Sequence, residues 1–299
     1  RPSGPKPDAL PGCATPRPKD CKPSHHRYSR QLDEIYPLKV LFFYPSYDVP
    51  AMPAETAPIP YLKVDQGFPP VSQAWGANTP APGLLCVGLD LSGDSLSQAY
   101  QRGIFPWFSE DQPILWWSPD PRMVLEIDRF VLKASLHKVL KRFARDPRCE
   151  IRIDSAFEQV MTACAAKTRP GQNGTWILPA MVQAYCELHA QGQAHSVETW
   201  IDGQLVGGLY CVAMGKAIFG ESMFYRRSNA SKIALAALVA MCRAQGVVQI
   251  DCQQNTAHLA SMGAHNVPRD QFLQVMTAQL QEASLDWFFD PVYWQNLRD

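Results

Sequence analysis

The chain has 299 residues, 46% hydrophobic and 19% charged, which is typical of a globular protein with enough length for a real core and for one large or two modest domains. Basic and acidic residues balance at 28 each, so nucleic-acid binding would have to depend on a local basic patch. Nine cysteines without a C-x-x-C pair argue against a disulfide framework and favour free thiols in a reducing compartment, and no apolar run approaches the ~20 residues needed to cross a bilayer.

Proline is concentrated at the start of the chain. Fifteen of the 26 prolines lie in residues 1–70, which predicts a Pro-rich extension over residues 1–65 that is extended or disordered over much of its length. Two cysteines and two histidines in this region have a loosely metal-like spacing: Cys13, Cys21, His25 and His26. Because no supporting structure is expected there, we predict no metal site. The first residues also lack the apolar core of a signal peptide, so we expect a cytoplasmic location.

Regular structure is predicted from about Phe68 onward. A helix begins at Ser92 and ends before Gly103. An aromatic region follows, with the runs RGIFPWF at 102–108 and LWWSPDPR at 115–122. Its three tryptophans predict either a loop-rich aromatic core or a platform on which a nucleotide base stacks.

Residues 132–145 predict an amphipathic helix with one basic face. The apolar face consists of Leu132, Leu136, Val139, Leu140 and Phe143. The opposite half is almost wholly basic and has no acidic residue; its basic side chains are Lys133, His137, Lys138, Lys141, Arg142 and Arg145. A solvated face normally mixes the two signs of charge, so contact with an RNA backbone and plain solvation are both open alternatives.

The remainder of the chain predicts an α+β fold. Asp154 is the expected N-cap of a helix that continues to Cys164, and further helices are expected over 179–191 and 231–245. A hairpin turns at Asp202-Gly203 and leads into an antiparallel meander. We therefore predict a small N-terminal domain at 66–127, a GNAT-like mixed sheet with helices packed on it at 128–285, and a C-terminal tail at 286–299.

The last predicted strand, over 247–252, runs into a carboxylate. Asp251 and Gln253 point the same way if the strand continues to residue 253. A charge at the end of a buried strand is costly unless it is paired or used, and this end of an open sheet is where ligands bind. A structural hydrogen bond or a helix cap is the alternative.

Eight motifs occur in order between about Phe68 and Leu273: RGIFPWF at 102–108, WWSPDPR at 116–122, GTWI at 174–177, HSVE at 195–198, GG at 207–208, GESMF at 220–224, NASK at 229–232 and IDCQ at 250–253. Together they resemble the leucyl/phenylalanyl-tRNA–protein transferase family. The family joins leucine or phenylalanine, with methionine as a further candidate, from aminoacyl-tRNA to proteins whose N-terminal residue is arginine or lysine. This marks the acceptors for N-degron degradation, and it requires no cofactor.

The resemblance implies roles for individual residues. Asp251 orients and polarises Gln253, Gln253 contacts the attacking amine, and Glu221 holds the cationic acceptor. Whether Asp251 itself accepts the proton stays open. The 3′-terminal adenosine is contacted by Trp107, Trp176 and Tyr100. The aminoacyl side-chain pocket is lined by Leu209, Met223, Leu238 and Ile250. The tRNA backbone is contacted by Lys133, Lys138, Lys141, Arg142 and Arg145.

Two other functions are weighed against this one. A GNAT-type acyl-CoA N-acetyltransferase is disfavoured because the chain has no Arg/Gln-x-x-Gly-x-Gly/Ala pyrophosphate loop. A non-catalytic tRNA-binding module is disfavoured by the presence of Asp251, Gln253 and Glu221.

We expect a monomer without a metal, and structural roles for His189, His195 and His258. Leu89 departs from the family, which usually has glycine at this turn.

Overall fold

Two β-sheets organise residues 58–166 and 177–297, the part of the chain that this computed structural model describes. The smaller sheet has the strand order β1-β2-β4-β3 and consists of β1 (Tyr61–Leu62), β2 (Leu84–Gly88), β3 (Phe105–Pro106) and β4 (Leu115–Trp117). The Pro-rich region up to residue 57 lies outside the described residues. Residues 61–62, at the end of the predicted extension, pair with β2.

The larger sheet has seven strands in the order β11-β5-β10-β9-β8-β7-β6. They are β5 (Arg122–Glu126), β6 (Cys149–Ile153), β7 (Ala194–Ile201), β8 (Gln204–Met214), β9 (Ala217–Tyr225), β10 (Gln249–Gln253) and β11 (His265–Val267). Strands β9 and β10 run parallel, whereas the other neighbours are antiparallel. The predicted α+β fold with a mixed sheet is confirmed. Because β5 pairs with β10, residues 122–126 belong to the larger sheet, and the domain boundary at 127/128 stays a prediction.

Helices cover both faces of the larger sheet. They are α1 (Gly93–Tyr100), α2 (Ala134–Phe143), α3 (Phe157–Ala165), α4 (Pro179–Ala190), α5 (Ala230–Ala244), α6 (Ala257–Ala260) and α7 (Arg269–Leu280). One hydrophobic core contains the apolar residues of α1, α3, α4 and α7, and a second contains those of α2 and α5. None of the helices within 58–166 and 177–297 is long and apolar enough to cross a membrane.

The C-terminal segment packs on the helices of the second core. A 3₁₀ helix at Pro291–Leu297 lies against α5, where the side-chain amide of Asn296 donates to the carbonyl of Ala240. The ring of Trp294 stands edge-on to Phe143 of α2. Because the larger sheet and this C-terminal segment both pack against α5, the helix is apolar nearly all round. Residues 286–297, predicted as a tail, are thus joined to the folded body by side-chain contacts.

Local backbone geometry follows most of the predicted turns. The hairpin β7–β8 turns at Asp202 and Gly203, both with positive φ, as the turn dipeptide predicts. Leu89 has φ +57°, a left-handed conformation that glycine adopts more easily.

The prediction that Asp154 caps α3 is wrong. Its carboxylate accepts from the backbone N–H of Ser196, while the backbone N–H of Ala156, the residue before the helix, donates to the buried carboxylate of Glu198.

Candidate active site

The predicted catalytic strand β10 is irregular where its polar residues begin. It pairs in parallel with β9 up to Asp251. Cys252 is then an extra residue, because Asp251 pairs with Val124 of β5 and Gln253 with the adjacent Met123. Gln253 has φ +55°, which is uncommon for a residue with a side chain. The prediction that Asp251 and Gln253 point the same way along a regular strand is therefore wrong, since the bulge interrupts the alternation.

Strand β9 has a second irregularity at Glu221. Gly220 pairs with Cys211 of β8 and Ser222 pairs with the adjacent Tyr210, so Glu221 is the extra residue. A bulge of this kind redirects side chains and increases the local twist. Glu221 of β9 and Gln253 of β10 therefore both lie at bulges of the sheet.

These interruptions bring Gln253 and Glu221 into contact. The Nε2 of Gln253 lies 3.2 Å from Oε1 of Glu221, and the hydroxyl of Tyr100 donates to the same oxygen at 2.7 Å. The hydroxyl of Tyr185 lies 2.5 Å from that of Tyr100. Both tyrosines are fully buried, whereas Gln253 and Glu221 are partly exposed. The pair thus forms the accessible end of a buried chain of hydrogen bonds.

The surroundings of Glu221 change its acid strength. Burial raises the pKa of Glu221 to about 8; the hydrogen bond from Tyr100 opposes this rise, and the negative charge of Asp251 adds to it. Burial, together with the neighbouring Glu221, raises the pKa of Tyr100 and of Tyr185 well above the usual value for tyrosine, so both hydroxyls stay protonated donors. A carboxyl with a pKa near 8 can exchange a proton with an α-amine, whose pKa is about 8, at little cost in free energy.

Asp251 forms a buried ion pair with Arg122. The Nε and Nη2 atoms of Arg122 donate to the two carboxylate oxygens at 2.8 and 2.6 Å, and the side chains are 0% and 1% exposed. Oδ1 of Asp251 also accepts the backbone N–H of Gln253 at 2.9 Å. Asp251 therefore contacts Gln253 through the main chain, while the side-chain amide of Gln253 faces Glu221. This geometry favours an orienting role for Asp251.

The four residues predicted to line an aminoacyl pocket belong to one hydrophobic cluster: Leu209, Met223, Leu238 and Ile250. Leu209 lies opposite Met223 across β8 and β9, and Ile250 directly precedes Asp251. Met223 is partly exposed and the other three side chains are buried. Tyr100 and Tyr185, which form the hydrogen-bond chain with Glu221, belong to the other hydrophobic core. The role of the four residues as a pocket stays a prediction.

The predicted adenosine contacts have different surroundings. Trp107 is partly exposed, with its ring 5.6 Å from that of Trp117 and its carbonyl accepting from the Trp117 indole N–H at 2.7 Å. Tyr100 has no exposed surface and binds Glu221, so its ring offers no face to an adenine in this structure. Trp176 lies outside the described residues. A stacking platform for adenosine therefore stays a prediction that depends on Trp107 and Trp176.

The basic face of α2 forms as the sequence predicts. Leu136, Leu140 and Phe143 are buried. The opposite face exposes the five cationic residues predicted to contact tRNA, which are Lys133, Lys138, Lys141, Arg142 and Arg145. Within residues 58–166 and 177–297 no ion pair joins these five to an acidic side chain. The face therefore presents uncompensated positive charge.

A second polar cluster contains Asp154, His189 and His195, whose potential metal-ligand atoms lie within 4.8 Å of one another. Nδ1 of His195 is 2.7 Å from Asp154 and its Nε2 is 3.2 Å from the carbonyl of Gly192, while Nδ1 of His189 is 2.7 Å from the carbonyl of Ala194. Because these ring nitrogens already face hydrogen-bond partners, the geometry fits a structural network better than a metal centre.

Sequence reasoning did not assign a role to Arg122 or Tyr185. A cation near Asp251 could have been anticipated, because a buried carboxylate needs a partner, but the spacing along the chain does not identify which arginine supplies it. Tyr185 lies on the buried face of α4, where the sequence pattern does not distinguish a hydrogen-bonding tyrosine from a core residue.

Two family profiles and several sequence relatives match this chain. The sequence profile of the leucyl/phenylalanyl-tRNA protein transferase family matches residues 124–277, and the profile of its N-terminal domain matches residues 89–120. A leucyl/phenylalanyl-tRNA–protein transferase of Albidiferax ferrireducens is 60% identical over 246 residues, covering 82% of this chain and 97% of that protein. One from a Polaromonas species is 57% identical over 240 residues, covering 80% and 94%.

Two solved structures share a weaker similarity. L-PGS from Bacillus licheniformis has a TM-score of 0.33 at 14% identity, covering 56% of this chain and 54% of that chain. A GCN5-related N-acetyltransferase from Kribbella flavida has a TM-score of 0.31 at 9% identity, covering 56% and 58%. The sequence relatives decide the family: the chain belongs to the leucyl/phenylalanyl-tRNA–protein transferase family and is an aminoacyltransferase.

Proposed function

We propose that the chain transfers leucine or phenylalanine from aminoacyl-tRNA to the α-amino group of proteins that begin with arginine or lysine, which marks them for degradation. Family membership supports the donor and the type of reaction, and the acceptor rule is the further step of the proposal. The contact between Glu221 and Gln253, at the point where β9 and β10 separate, is the observation that carries it. The use of charged tRNA fits a cytoplasmic protein.

Glu221 is the group best suited to accept the proton of the acceptor. An N-terminal α-ammonium must lose a proton before its nitrogen can attack an ester. Since the pKa of Glu221 is raised to about 8, its ionised form takes up this proton readily near neutral pH. Gln253 donates its side-chain N–H to Glu221, and its amide oxygen can accept a hydrogen bond from the amine.

The reaction needs no further activation because the aminoacyl ester is already reactive. The neutral amine forms an N–C bond to the ester carbonyl carbon, and the carbonyl becomes a tetrahedral oxyanion. The nitrogen becomes positively charged on attack and must give up one proton. Collapse of the intermediate breaks the C–O bond to the ribose oxygen of the terminal adenosine, which takes up that proton and leaves as a hydroxyl. Holding the two substrates in line supplies much of the acceleration.

The donor has three proposed contacts. The hydrophobic cluster formed by Leu209, Met223, Leu238 and Ile250 suits an apolar side chain without a branch at Cβ. Trp107 and Trp176 hold the terminal adenosine by stacking. The exposed basic face of α2 binds phosphates of the acceptor stem, so the positive charge is local although the whole chain is neutral.

Transfer of labelled leucine tests this function. The protein is mixed with labelled leucyl-tRNA and a peptide that begins with arginine, and the peptide is isolated and counted. We expect label in this peptide, little in the same peptide with an acetylated N-terminus, and none after ribonuclease treatment of the charged tRNA. No transfer from well-charged tRNA, or transfer that survives ribonuclease, would overturn the proposal.

A further inference from the structure

The side chain of Arg122 joins the two sheets directly behind the candidate site. It begins β5 of the larger sheet and pairs with Asp251 through two hydrogen bonds. Its Nη1 donates to the carbonyl of Gly103 at 3.0 Å. Its guanidinium carbon lies 4.9 Å from the ring centroid of Phe105 and 4.6 Å from that of Phe272. The guanidinium is therefore fixed by hydrogen bonds in its plane and by two aromatic rings.

The residues that contact Arg122 are connected to the proposed binding sites of both substrates. Phe105 belongs to β3, and Trp107, the proposed adenosine platform, follows two residues later. Asp251 holds the backbone N–H of Gln253, whose side chain contacts Glu221. Arg122 thus lies between the segment proposed to hold the donor and the segment proposed to hold the acceptor.

Stability alone does not account for this arrangement. Removing two charges from water is costly, and replacing a buried ion pair by apolar residues of similar size is often neutral or stabilising. The planar guanidinium offers a fixed pair of donors for a carboxylate, which the single ammonium of lysine cannot match. The arrangement therefore fixes the position of the Asp251 carboxylate. The positive charge of Arg122 is required for this, because the carboxylate would otherwise be buried without a counter-charge.

We infer that Arg122 is a positioning residue for aminoacyl transfer: by fixing Asp251 and the backbone of Gln253 relative to β3, it sets the distance between the acceptor amine and the donor ester. The inference rests on the proposed function. Arg122 acts through Asp251 and β3, without touching the reacting atoms. If the reacting groups are displaced by about 1 Å, the rate of transfer can fall on the order of a hundredfold.

The substitution Arg122→Lys tests the inference because it keeps the positive charge and removes the paired donors. Single-turnover transfer of leucine is measured with saturating leucyl-tRNA, together with the Kd for tRNA and the melting temperature. The control is Arg152→Lys, since Arg152 also pairs with a carboxylate, that of Glu150, and stacks on an aromatic ring, that of Trp200, but lies on β6 at the edge of the sheet.

We expect Arg122→Lys to transfer leucine on the order of a hundredfold more slowly while its Kd for tRNA changes by less than about threefold. Arg152→Lys should leave the rate unchanged. The transfer rate of Arg122→Lys is also measured at a temperature well below the melting temperature of this variant. If the variant is as fast as the wild type there, the role of Arg122 is only structural and the inference is overturned. A rate within about threefold of the wild type overturns it as well.

A second variant decides the matter if Arg122→Lys does not fold. Phe272→Leu removes one aromatic face from the guanidinium and leaves the ion pair in place. We expect about a tenfold slower transfer with unchanged tRNA binding, and an unchanged rate would overturn the inference. If the wild type transfers leucine and both variants are equally fast, only the role of Arg122 is refuted. If the wild type transfers no leucine, the proposed function is refuted and this inference with it.

Discussion

Arg122 and Asp251 lie 129 residues apart in the chain and form a two-bond ion pair, at 2.6 and 2.8 Å, in which both side chains are essentially without exposure to solvent. A pair of this kind depends on both partners, because either charge alone would remain buried without compensation.

Asp251→Asn should therefore lower the free energy of unfolding by about 3–5 kcal/mol, since it leaves the guanidinium of Arg122 unpaired. Unfolding in urea measures the change. Asp146→Asn is the matched control, because Asp146 pairs with the exposed Arg148 and loss of that pair should have a much smaller effect on unfolding. Equal effects of the two substitutions would contradict the account of the buried pair.

Glu221→Gln should change how stability depends on pH. In the unfolded chain Glu221 ionises near its ordinary pKa of 4.5, and in the folded protein near 8. Between these values the folded state keeps a proton that the unfolded state has lost, so the free energy of unfolding of the wild type falls as the pH rises. Glutamine does not titrate, and it can accept the hydrogen bond from Tyr100.

Relative to the wild type, the glutamine variant should thus gain on the order of a few kcal/mol in free energy of unfolding between pH 5 and pH 8. Urea titrations of both proteins at the two pH values measure this gain. A difference between the proteins that does not vary with pH would show that Glu221 ionises normally.

Gln253→Asn should slow transfer on the order of a hundredfold with little effect on tRNA binding. Asparagine tolerates the left-handed backbone that Gln253 adopts, so the fold is retained, but its shorter side chain withdraws the amide from Glu221. Single-turnover transfer and filter binding of tRNA separate the two effects. The neighbouring Gln254→Asn is the control and should keep its rate. Loss of tRNA binding in parallel with the rate would contradict the role assigned to Gln253.

The double substitution Lys138→Glu with Arg142→Glu should weaken binding of tRNA and lower its dependence on salt. Each lost phosphate contact reduces the slope of log K against log salt by about 0.7–0.9. Binding is measured over a series of salt concentrations, with the exposed Lys63→Glu of the small-sheet region as control. If the double variant binds tRNA with the affinity and salt slope of the wild type, the basic face of α2 does not contact RNA.

Much of the fold was predictable because its signals are local. The hairpin at Asp202-Gly203, the helix capped by Ser92 and the basic face of α2 each depend on residues close together in the chain. The prediction that Asp154 caps α3 fails because the partners of its carboxylate are distant in the sequence. Its carboxylate accepts from the backbone N–H of Ser196 and lies against the ring of His195, which are 42 and 41 residues further along the chain, and a local pattern cannot reveal these partners.

The candidate site was predictable in part for the same reason. The motifs identify Asp251, Gln253 and Glu221, but regular alternation placed Asp251 and Gln253 on the same side of a strand. The bulge at Cys252 depends on the register against β5, which the sequence does not specify. The partners of these residues, Arg122 and Tyr100, come from other elements, so only the assembled sheets show how each carboxylate is held.

The pH dependence of single-turnover transfer tests the central claim most directly, that Glu221 receives the proton of the acceptor amine. Leucine transfer to a peptide beginning with arginine is measured between about pH 6 and pH 9.5 for the wild type and for Glu221→Gln, at saturating leucyl-tRNA. The account predicts that the wild-type rate rises toward a plateau above about pH 8, and that Glu221→Gln is at least about a hundredfold slower across this range while binding tRNA normally. A glutamine variant that transfers leucine within about threefold of the wild-type rate would contradict it.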